Sequence, residues 1–188
     1  VQHHDGMLDI TRQSNWVTVS WNYFRDHDKT TLVGNSDTQT QDEGKLKVTF
    51  HHNLYENVKE RTPRVRFGQV HVYNNVFVVS DNTPNRYGYS IGVGYASRIY
   101  SQNNAWITPD NVPSTRIVRA LKGDHFIDKG SVHNGQDARL MEHLREAYPA
   151  VQWSEDPGWV PQLALTVDAA STIPAIVRQR AGSAKYDY

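Results

Sequence analysis

A short basic motif, Arg61-Thr62-Pro63-Arg64-Val65-Arg66, holds the residues best suited to chemistry. Pro63 fixes its own backbone and keeps Thr62 out of helical geometry, so the motif is expected to be extended. Arg61 and Arg66 are then able to project toward one ligand, and planar guanidinium groups suit carboxylates or phosphates. Taken alone, the motif predicts an anion site, with a simple basic surface strip as the alternative.

Two acidic clusters precede this motif. Asp5 and Asp9 offer the hard oxygen ligands that suit Ca²⁺, although two carboxylates four residues apart are also common on solvated surfaces. Asp26-His27-Asp28-Lys29 is suited to metal binding, to acid-base chemistry or to a polar bend. Residues 1–44 carry seven acids against three bases, whereas residues 45–71 carry six bases against two acids. A metal-attracting segment followed by an anion-attracting one is one interpretation, and solvated faces are the other.

The amino-acid composition limits the classes of protein to which this chain can belong. Its 188 residues, with 12 Gly, 8 Pro and 38% hydrophobic positions, are typical of one globular domain. Twenty basic and twenty acidic residues balance, so the net charge does not favour nucleic acid or an anionic membrane as a partner. The absence of Cys excludes disulfides, thiolate metal sites and thiol nucleophiles. Any electrostatic specialisation must therefore be local.

Short β-strand patterns recur, and each ends on an asparagine followed two residues later by an aromatic residue. The asparagines are Asn22, Asn53, Asn75 and Asn104, at separations of 31, 22 and 29 residues. Such spacing predicts the stacked coils of a solenoid, in which equivalent asparagines can form a ladder inside a bend. An antiparallel sandwich is the alternative, but no Asn-Gly or Asp-Gly pair links adjacent strand patterns as a two-residue hairpin turn.

The pattern changes in the last part of the chain. Residues 136–148 predict one helix, and a second is predicted with Thr172 near its cap, Pro174 in its first turn and Gly182 as its stop. The fold class predicted is all-β, a parallel β-helix with a cover of loop and short helices.

The expected organisation has two parts. Residues 1–108 form β-helix coils that carry the active site and are incomplete on their N-terminal side. Residues 109–188 form the cover with its two short helices.

The motifs, taken in order, resemble those of family 1 polysaccharide lyases, the pectate lyases. The resemblance is nearly continuous over residues 5–77 and looser over residues 91–104 and the final helix. Several motifs in order are far more specific than any one of them. They are Asp5-Gly6-x-x-Asp9-Ile10, Val17-Thr18-Val19-Ser20-Trp21-Asn22, Asp26-His27-Asp28-Lys29, Gly44-Lys45-Leu46-Lys47-Val48-Thr49, His51-His52-Asn53, Arg61-x-Pro63-x-x-Arg66-Phe67-Gly68 and His71-Val72-Tyr73-Asn74-Asn75.

The resemblance implies a right-handed parallel β-helix and a secreted, extracellular, calcium-dependent enzyme. Its substrate would be polygalacturonate (pectate), cleaved by β-elimination to leave a 4,5-unsaturated end. The implied roles are Arg61 as the base that takes the C5 proton, and Lys29 and Arg66 as binders of the substrate carboxylate. Asp5 and Asp9 match the calcium ligands.

Elementary chemistry agrees with these roles. A proton α to a carboxylate is weakly acidic until that charge is neutralised, which Ca²⁺, Lys29 and Arg66 would do in the transition state. Arginine is normally protonated in proteins, so a base role for Arg61 rests on the resemblance and on surrounding positive charge. We therefore expect an alkaline pH optimum.

The sequence departs from the family at its beginning. Family members have further coils there, with another calcium-binding Asp and a cap. An open solenoid end would expose core and unpaired strand edges. We expect these residues to be the C-terminal part of a larger lyase, whose other half comes from another chain, a further segment or a swapped partner.

Two other functions stay open, and two further motifs are given structural interpretations. A non-catalytic polysaccharide-binding solenoid would keep the cations but lack a complete calcium site. A β-helical glycoside hydrolase would need paired acids such as Asp26 and Asp28, and would leave the basic motif without a role. His51 and His52 suit packing or a substrate rim better than metal binding, because neighbours in a strand face opposite ways. Gly92-Val93-Gly94 is interpreted as strand and turn, not as a dinucleotide loop.

Overall fold

A computed structural model describes residues 5–80, 86–162 and 166–183. Within them the chain winds through five coils, and each coil adds one strand to each of three sheets. Every strand pairing is parallel except that of the last two strands of the third sheet. The predicted parallel solenoid is therefore confirmed.

The strands are named in chain order. The first sheet contains β1 (Gly6–Ile10), β4 (Lys29–Val33), β7 (Arg64–Val65), β10 (Ile91–Gly94) and β13 (Val118–Leu121). The second contains β2 (Val17–Ser20), β5 (Lys47–His51), β8 (Gln69–Tyr73), β11 (Arg98–Gln102) and β14 (His125–Lys129). The third contains β3 (Tyr23–Arg25), β6 (Leu54–Glu56), β9 (Val76–Val78), β12 (Ala105–Ile107), β15 (Val132–His133) and the antiparallel β16 (Gln136–Asp137).

The predicted asparagine ladder lies between the second and third sheets. Each Oδ1 accepts hydrogen bonds from the backbone N–H and the side-chain amide of the asparagine one coil earlier. The paired distances are 3.0 and 3.1 Å from Asn22 to Asn53, 3.1 and 3.0 Å from Asn53 to Asn75, and 2.9 and 3.1 Å from Asn75 to Asn104. Three of the four are fully buried, and only Asn22, in the first coil, is exposed. The ladder stacks the coils in register and satisfies polar groups inside each bend.

The aromatic residues two positions after these asparagines form a stack in the core. Phe24, Tyr55, Phe77 and Trp106 lie nearly parallel, with successive ring centroids 5.0, 5.0 and 4.7 Å apart. Each such pair contributes roughly 0.5–1.5 kcal/mol beyond the area it buries. The repeated sequence pattern thus fixes a polar ladder and an apolar stack side by side.

The coils continue past residue 108. Strands β13, β14 and β15 extend all three sheets, so part of the segment expected as cover forms a fifth coil. The division at residue 108 stays a prediction as a domain boundary, but the sheets do not end there.

Two short helices complete the described residues. Helix α1 (Leu140–Ala147) begins later than the predicted Gln136, because Gln136 and Asp137 pair with β15 instead. Helix α2 (Ile173–Arg180) has Pro174 in its first turn, as predicted. The helices found in the described part of the chain are too short and too polar to cross a membrane.

Helix α2 ends as predicted, but the side chain at its N-cap makes no capping hydrogen bond. Gly182 follows the helix with a φ of 97°, a left-handed conformation that favours glycine. Thr172 occupies the N-cap position, but its hydroxyl donates to the Ala169 carbonyl at 2.9 Å and caps no backbone N–H.

Histidines join the cover to the coils. His52 Nε2 lies 3.0 Å from Asp168 Oδ2, while the Asp168 N–H donates to Asn74 Oδ1 at 2.9 Å. His51 and His52 do not face opposite ways as expected, because β5 ends at His51 and their Nδ1 atoms meet at 2.8 Å. Burial lowers the pKa of His51 and His71 to about 4. His51 and His52 therefore pack between the coils and the cover. Their Nδ1 atoms contact each other, so the two side chains are not arranged as a metal site.

Replacing Asn75 with Ala should lower the free energy of unfolding by about 3 kcal/mol, because carbonyls and amides that it satisfies would stay buried without partners. The matched change Asn22→Ala, at the exposed end of the ladder, should cost less than about 1 kcal/mol. Urea unfolding of both variants measures the difference. Equal losses would contradict the ladder as a stabilising element.

Candidate active site

The candidate site lies on the outer face of the first sheet. One row of paired residues is buried, namely Ile10, Val33, Val65 and Val93. Side chains alternate along a strand, so the row one position earlier points outward. That outer row is Asp9, Leu32, Arg64, Gly92 and Arg119. Residues from all five coils are thus brought together on one face.

The predicted acids and the predicted lysine meet at one end of this face. Lys29 Nζ donates to Asp5 Oδ1 at 2.8 Å, since Lys29 is paired with Gly6 across the sheet. Asp9 Oδ1 accepts from the Leu32 N–H at 2.9 Å. A side chain at Gly6 would place its Cβ 2.5 Å from Asp9 Oδ1, so the Asp9 carboxylate lies over Gly6. The two carboxylates therefore share one corner of the sheet.

This corner suits part of a site for a hard divalent cation. The hydrogen bond and charge of Lys29 hold the pKa of the Asp5 carboxyl below its usual value, so an anion is available to a metal. No group of three or more His, Cys, Asp or Glu side chains is poised around a metal position among residues 5–80, 86–162 and 166–183. Ca²⁺ takes six to eight oxygen ligands. Asp5 and Asp9 fit as two of its ligands, and the remaining oxygens must come from elsewhere.

Arg61 stands near this acidic corner. Its side chain is only 17% exposed, and its Nε lies 3.5 Å from Glu60 Oε1. That Nε is buried without a hydrogen-bond partner among the residues that the structure describes, and so is the Nε of Arg64. Burial lowers the pKa of Arg64, and the positive charges of Arg66 and Arg61 lower it further. Cationic side chains are crowded here, as the sequence predicted.

The side chain of Arg66 is held in place by hydrogen bonds. Its Nε donates to Asp37 Oδ1 at 2.6 Å, and its Nη1 donates to the Gly34 carbonyl at 3.1 Å. The other oxygen of Asp37 accepts from Lys122 Nζ at 2.6 Å. Arg61 and Arg66 lie at opposite ends of β7, at most about 18 Å apart between Cα atoms for five residues of extended chain. A ligand that meets both must cross the strand, which a polymer can do.

The structure gives no support to the paired-acid alternative. Asp28 accepts a hydrogen bond from Arg86 Nη2 at 3.0 Å, and Asp26 occupies a left-handed position with a φ of 52°. Neither Asp37 nor Lys122 belongs to a recognisable motif, so sequence reasoning missed both. Their part in the site depends on loop lengths that bring separate coils together.

Comparisons with known proteins agree on one family. A family model described as pectate lyase matches residues 1–155. A pectate lyase of Bacillus subtilis (strain 168) is 40% identical over 185 residues, and pectate lyase E of Dickeya chrysanthemi is 50% identical over 146 residues. A solved pectate lyase bound to hexasaccharide has a TM-score of 0.86 and 39% sequence identity.

The coverage of these matches is unequal. They include 98%, 73% and 99% of this chain, respectively. They include only 42%, 36% and 45% of the matched proteins. The chain therefore spans less than half the length of these relatives.

Proposed function

This chain belongs to the pectate lyase family, and from that premise we propose that it carries the active site of a calcium-dependent pectate lyase. The substrate is α-1,4-polygalacturonate, and the products of β-elimination are 4,5-unsaturated oligogalacturonates. The observation that carries the proposal is the convergence of Asp5, Asp9, Lys29 and the arginine motif on one outer sheet face. A relative bound to hexasaccharide supports a polymeric sugar as the ligand.

The residues divide the work of the elimination. Lys29 and Arg66 bind and orient the uronate carboxylate, and their charge stabilises the negative charge that develops on it. Arg61 takes the C5 proton, the C–H electrons form the C4–C5 double bond, and the bond from C4 to its glycosidic oxygen breaks. The departing oxygen takes a proton from solvent. Asp5 and Asp9 would hold calcium as two of its ligands, and the bound ion would supply further positive charge to stabilise the transition state.

Partial burial of Arg61 supports its role. Only 17% of the Arg61 side chain is exposed, and its ion pair with Glu60 helps to hold the guanidinium in place. Because an arginine must give up its own proton before it can accept another, the activity is proposed to rise toward alkaline pH. The polymer is too large to cross a membrane, which supports a secreted enzyme.

Arg61→Ala and Arg61→Lys should each lower kcat by roughly 100-fold or more, because the base is lost or changed. Formation of the unsaturated product is followed by its ultraviolet absorbance, with and without EDTA, across a range of pH. Arg145→Ala, an arginine of the cover paired with Glu155, serves as the control and should keep full activity. A rate that peaks in acid, or full activity in Arg61→Lys, would argue against Arg61 as the base.

Gly6→Ala should weaken calcium binding by about tenfold, because the new Cβ would push the Asp9 carboxylate aside without removing it. The backbone of Gly6 does not require glycine, so the fold should persist. Calcium titration by calorimetry measures the change, and Met7→Ala, the exposed neighbour, is the control. Unchanged affinity in Gly6→Ala would show that Asp9 is not a ligand.

A second candidate function is a non-catalytic polygalacturonate-binding fragment. It is favoured by the presence of only two candidate metal ligands on the described part of the site. The two candidates differ in one result, since a binder would retain the polymer without forming unsaturated product.

We also propose that a further coil, from the same protein or another chain, stacks on the first coil. Strands β1, β2 and β3 are the terminal strands of their sheets at this end. A cavity of about 540 Å³ opens beside them, lined by Leu8, Asn22 and Phe24 among others. The last amide of the ladder, Asn22, is exposed there. Another coil would bury this edge and could add calcium ligands.

The ladder provides the test of this proposal. When a preceding coil is joined to the chain, Asn22→Ala should cost about 3 kcal/mol of stability, as expected for a buried rung. In the chain alone the cost should stay below about 1 kcal/mol. Urea unfolding of both forms measures it. Full lyase activity of the chain alone would refute the need for another half.

A further inference from the structure

One acidic side chain links three coils at the edge of the site. Asp37, in the loop after β4, accepts Arg66 Nε on one oxygen and Lys122 Nζ on the other, both at 2.6 Å. Arg66 follows β7 in the third coil, and Lys122 follows β13 in the fifth. Nothing in the sequence motifs assigns a role to Asp37 or Lys122.

The backbone around this cluster is built for close approach. Gly34 has a φ of 78°, and a Cβ there would lie 2.6 Å from the Arg66 carbonyl oxygen. Lys122 has a φ of 77° and forms an isolated bridge with Gly94. The next residue, Gly123, donates its N–H to the Val93 carbonyl at 3.1 Å. These contacts fix the backbone that presents Lys122, so its position is set by the fold.

The charges of the cluster do not cancel. Lys122, and then Arg66, lower the pKa of Asp37 below its usual value, which favours the charged form of Asp37. Asp37 alone would neutralise Arg66 and reduce its attraction for a carboxylate. Lys122 restores a net positive charge, and its side chain is 73% exposed whereas that of Arg66 is 12% exposed. The exposed cation is therefore the one that an arriving polymer can meet first.

Building on the proposed function, we propose that Lys122 and Arg66, joined by Asp37, form a paired-cation subsite for a uronate carboxylate of the polymer. Asp37 is a positioning residue, because it acts through the two cations and repels the ligand itself. Two hydrogen bonds fix the plane of the Arg66 guanidinium, one from Arg66 Nε to Asp37 and one from Arg66 Nη1 to the Gly34 carbonyl. A fixed guanidinium loses less conformational entropy when it binds a carboxylate.

The inference is tested by comparing a charged ligand with an uncharged one. Trigalacturonate and its methyl ester have the same sugars, but only the first carries carboxylates. Lys122→Ala should raise the Kd for trigalacturonate about fivefold and leave the Kd for the ester unchanged. The fivefold effect should disappear in high salt, which screens exposed charges. In steady state the same variant should lower kcat/KM about fivefold, because a cation that helps to bind this carboxylate is lost.

The role of Asp37 is tested by a double-mutant cycle. Part of the contribution of Lys122 to affinity comes from neutralising the negative charge of Asp37. Lys122→Ala should therefore raise the Kd only about twofold in an Asp37→Asn background. Calorimetric titration measures all four proteins. If Asp37→Asn fails to fold, the single Lys122→Ala and Lys122→Gln variants, compared on charged and esterified ligand, still decide the inference.

The surface pair Arg145–Glu155 provides the matched control. Arg145→Ala breaks a similar ion pair on the cover and should change neither ligand's affinity. Equal losses for trigalacturonate and its ester in Lys122→Ala, or no loss at all in a folded protein, would overturn the inference. Because the readout is binding, it does not depend on lyase activity. A wild-type protein that binds trigalacturonate but forms no product would contradict the proposed function alone.

Discussion

The register between successive coils is the constraint on which the site depends. Asp5 and Lys29 belong to different coils, as do Arg66 and Lys122, and the members of each pair come close because each strand pairs with its counterpart one coil away. The asparagine ladder and the aromatic stack hold that register from inside the solenoid. A slip of one residue would turn every outward side chain into the core. The buried ladder therefore sets the geometry of the exposed cations and carboxylates, although it touches none of them.

The sequence predicted what repeats and missed what depends on loops. Asparagines followed two residues later by aromatics indicated the coils, because stacking demands the same residue types at equivalent positions. The resemblance to pectate lyases marked Asp5, Asp9, Lys29, Arg61 and Arg66. The structure brings Lys29 to Asp5 and places Arg61 and Arg66 on either side of β7, while their roles stay predictions. Asp37 and Lys122 escaped prediction because their contact spans 85 residues and depends on how each loop turns. Helix α1 begins late for a similar reason, since strand pairing competed for Gln136.

A net charge of zero conceals a strong local separation of charge. Acids collect at one corner of the first sheet, around Asp5 and Asp9, and arginines collect along and beyond β7. Only Asp5 and Asp9 of the N-terminal acids form this corner, so the charge division of the two segments corresponds to the site in part. Glu60 and Asp37 are acids that lie among the cations. The position of Asp37 between Arg66 and Lys122 keeps both cations ordered while the cluster stays net positive.

Two buried histidines of the second sheet make the protein less stable in acid. His51 and His71 have their pKa lowered to about 4 by burial, whereas an unfolded histidine binds a proton below about pH 6.5. The unfolded chain therefore holds more protons between these values, and the folded state loses stability as pH falls from about 6.5 toward 4. The ion pairs of Asp5 and Asp37 act in the same direction but at lower pH, because their lowered pKa values keep them charged until stronger acid. As the pH falls, protonation of the two histidines therefore lowers the free energy of unfolding before protonation of Asp5 and Asp37 does. Above neutral pH these two histidines carry no charge in either state, so they cost the protein no stability in the alkaline range proposed for its activity.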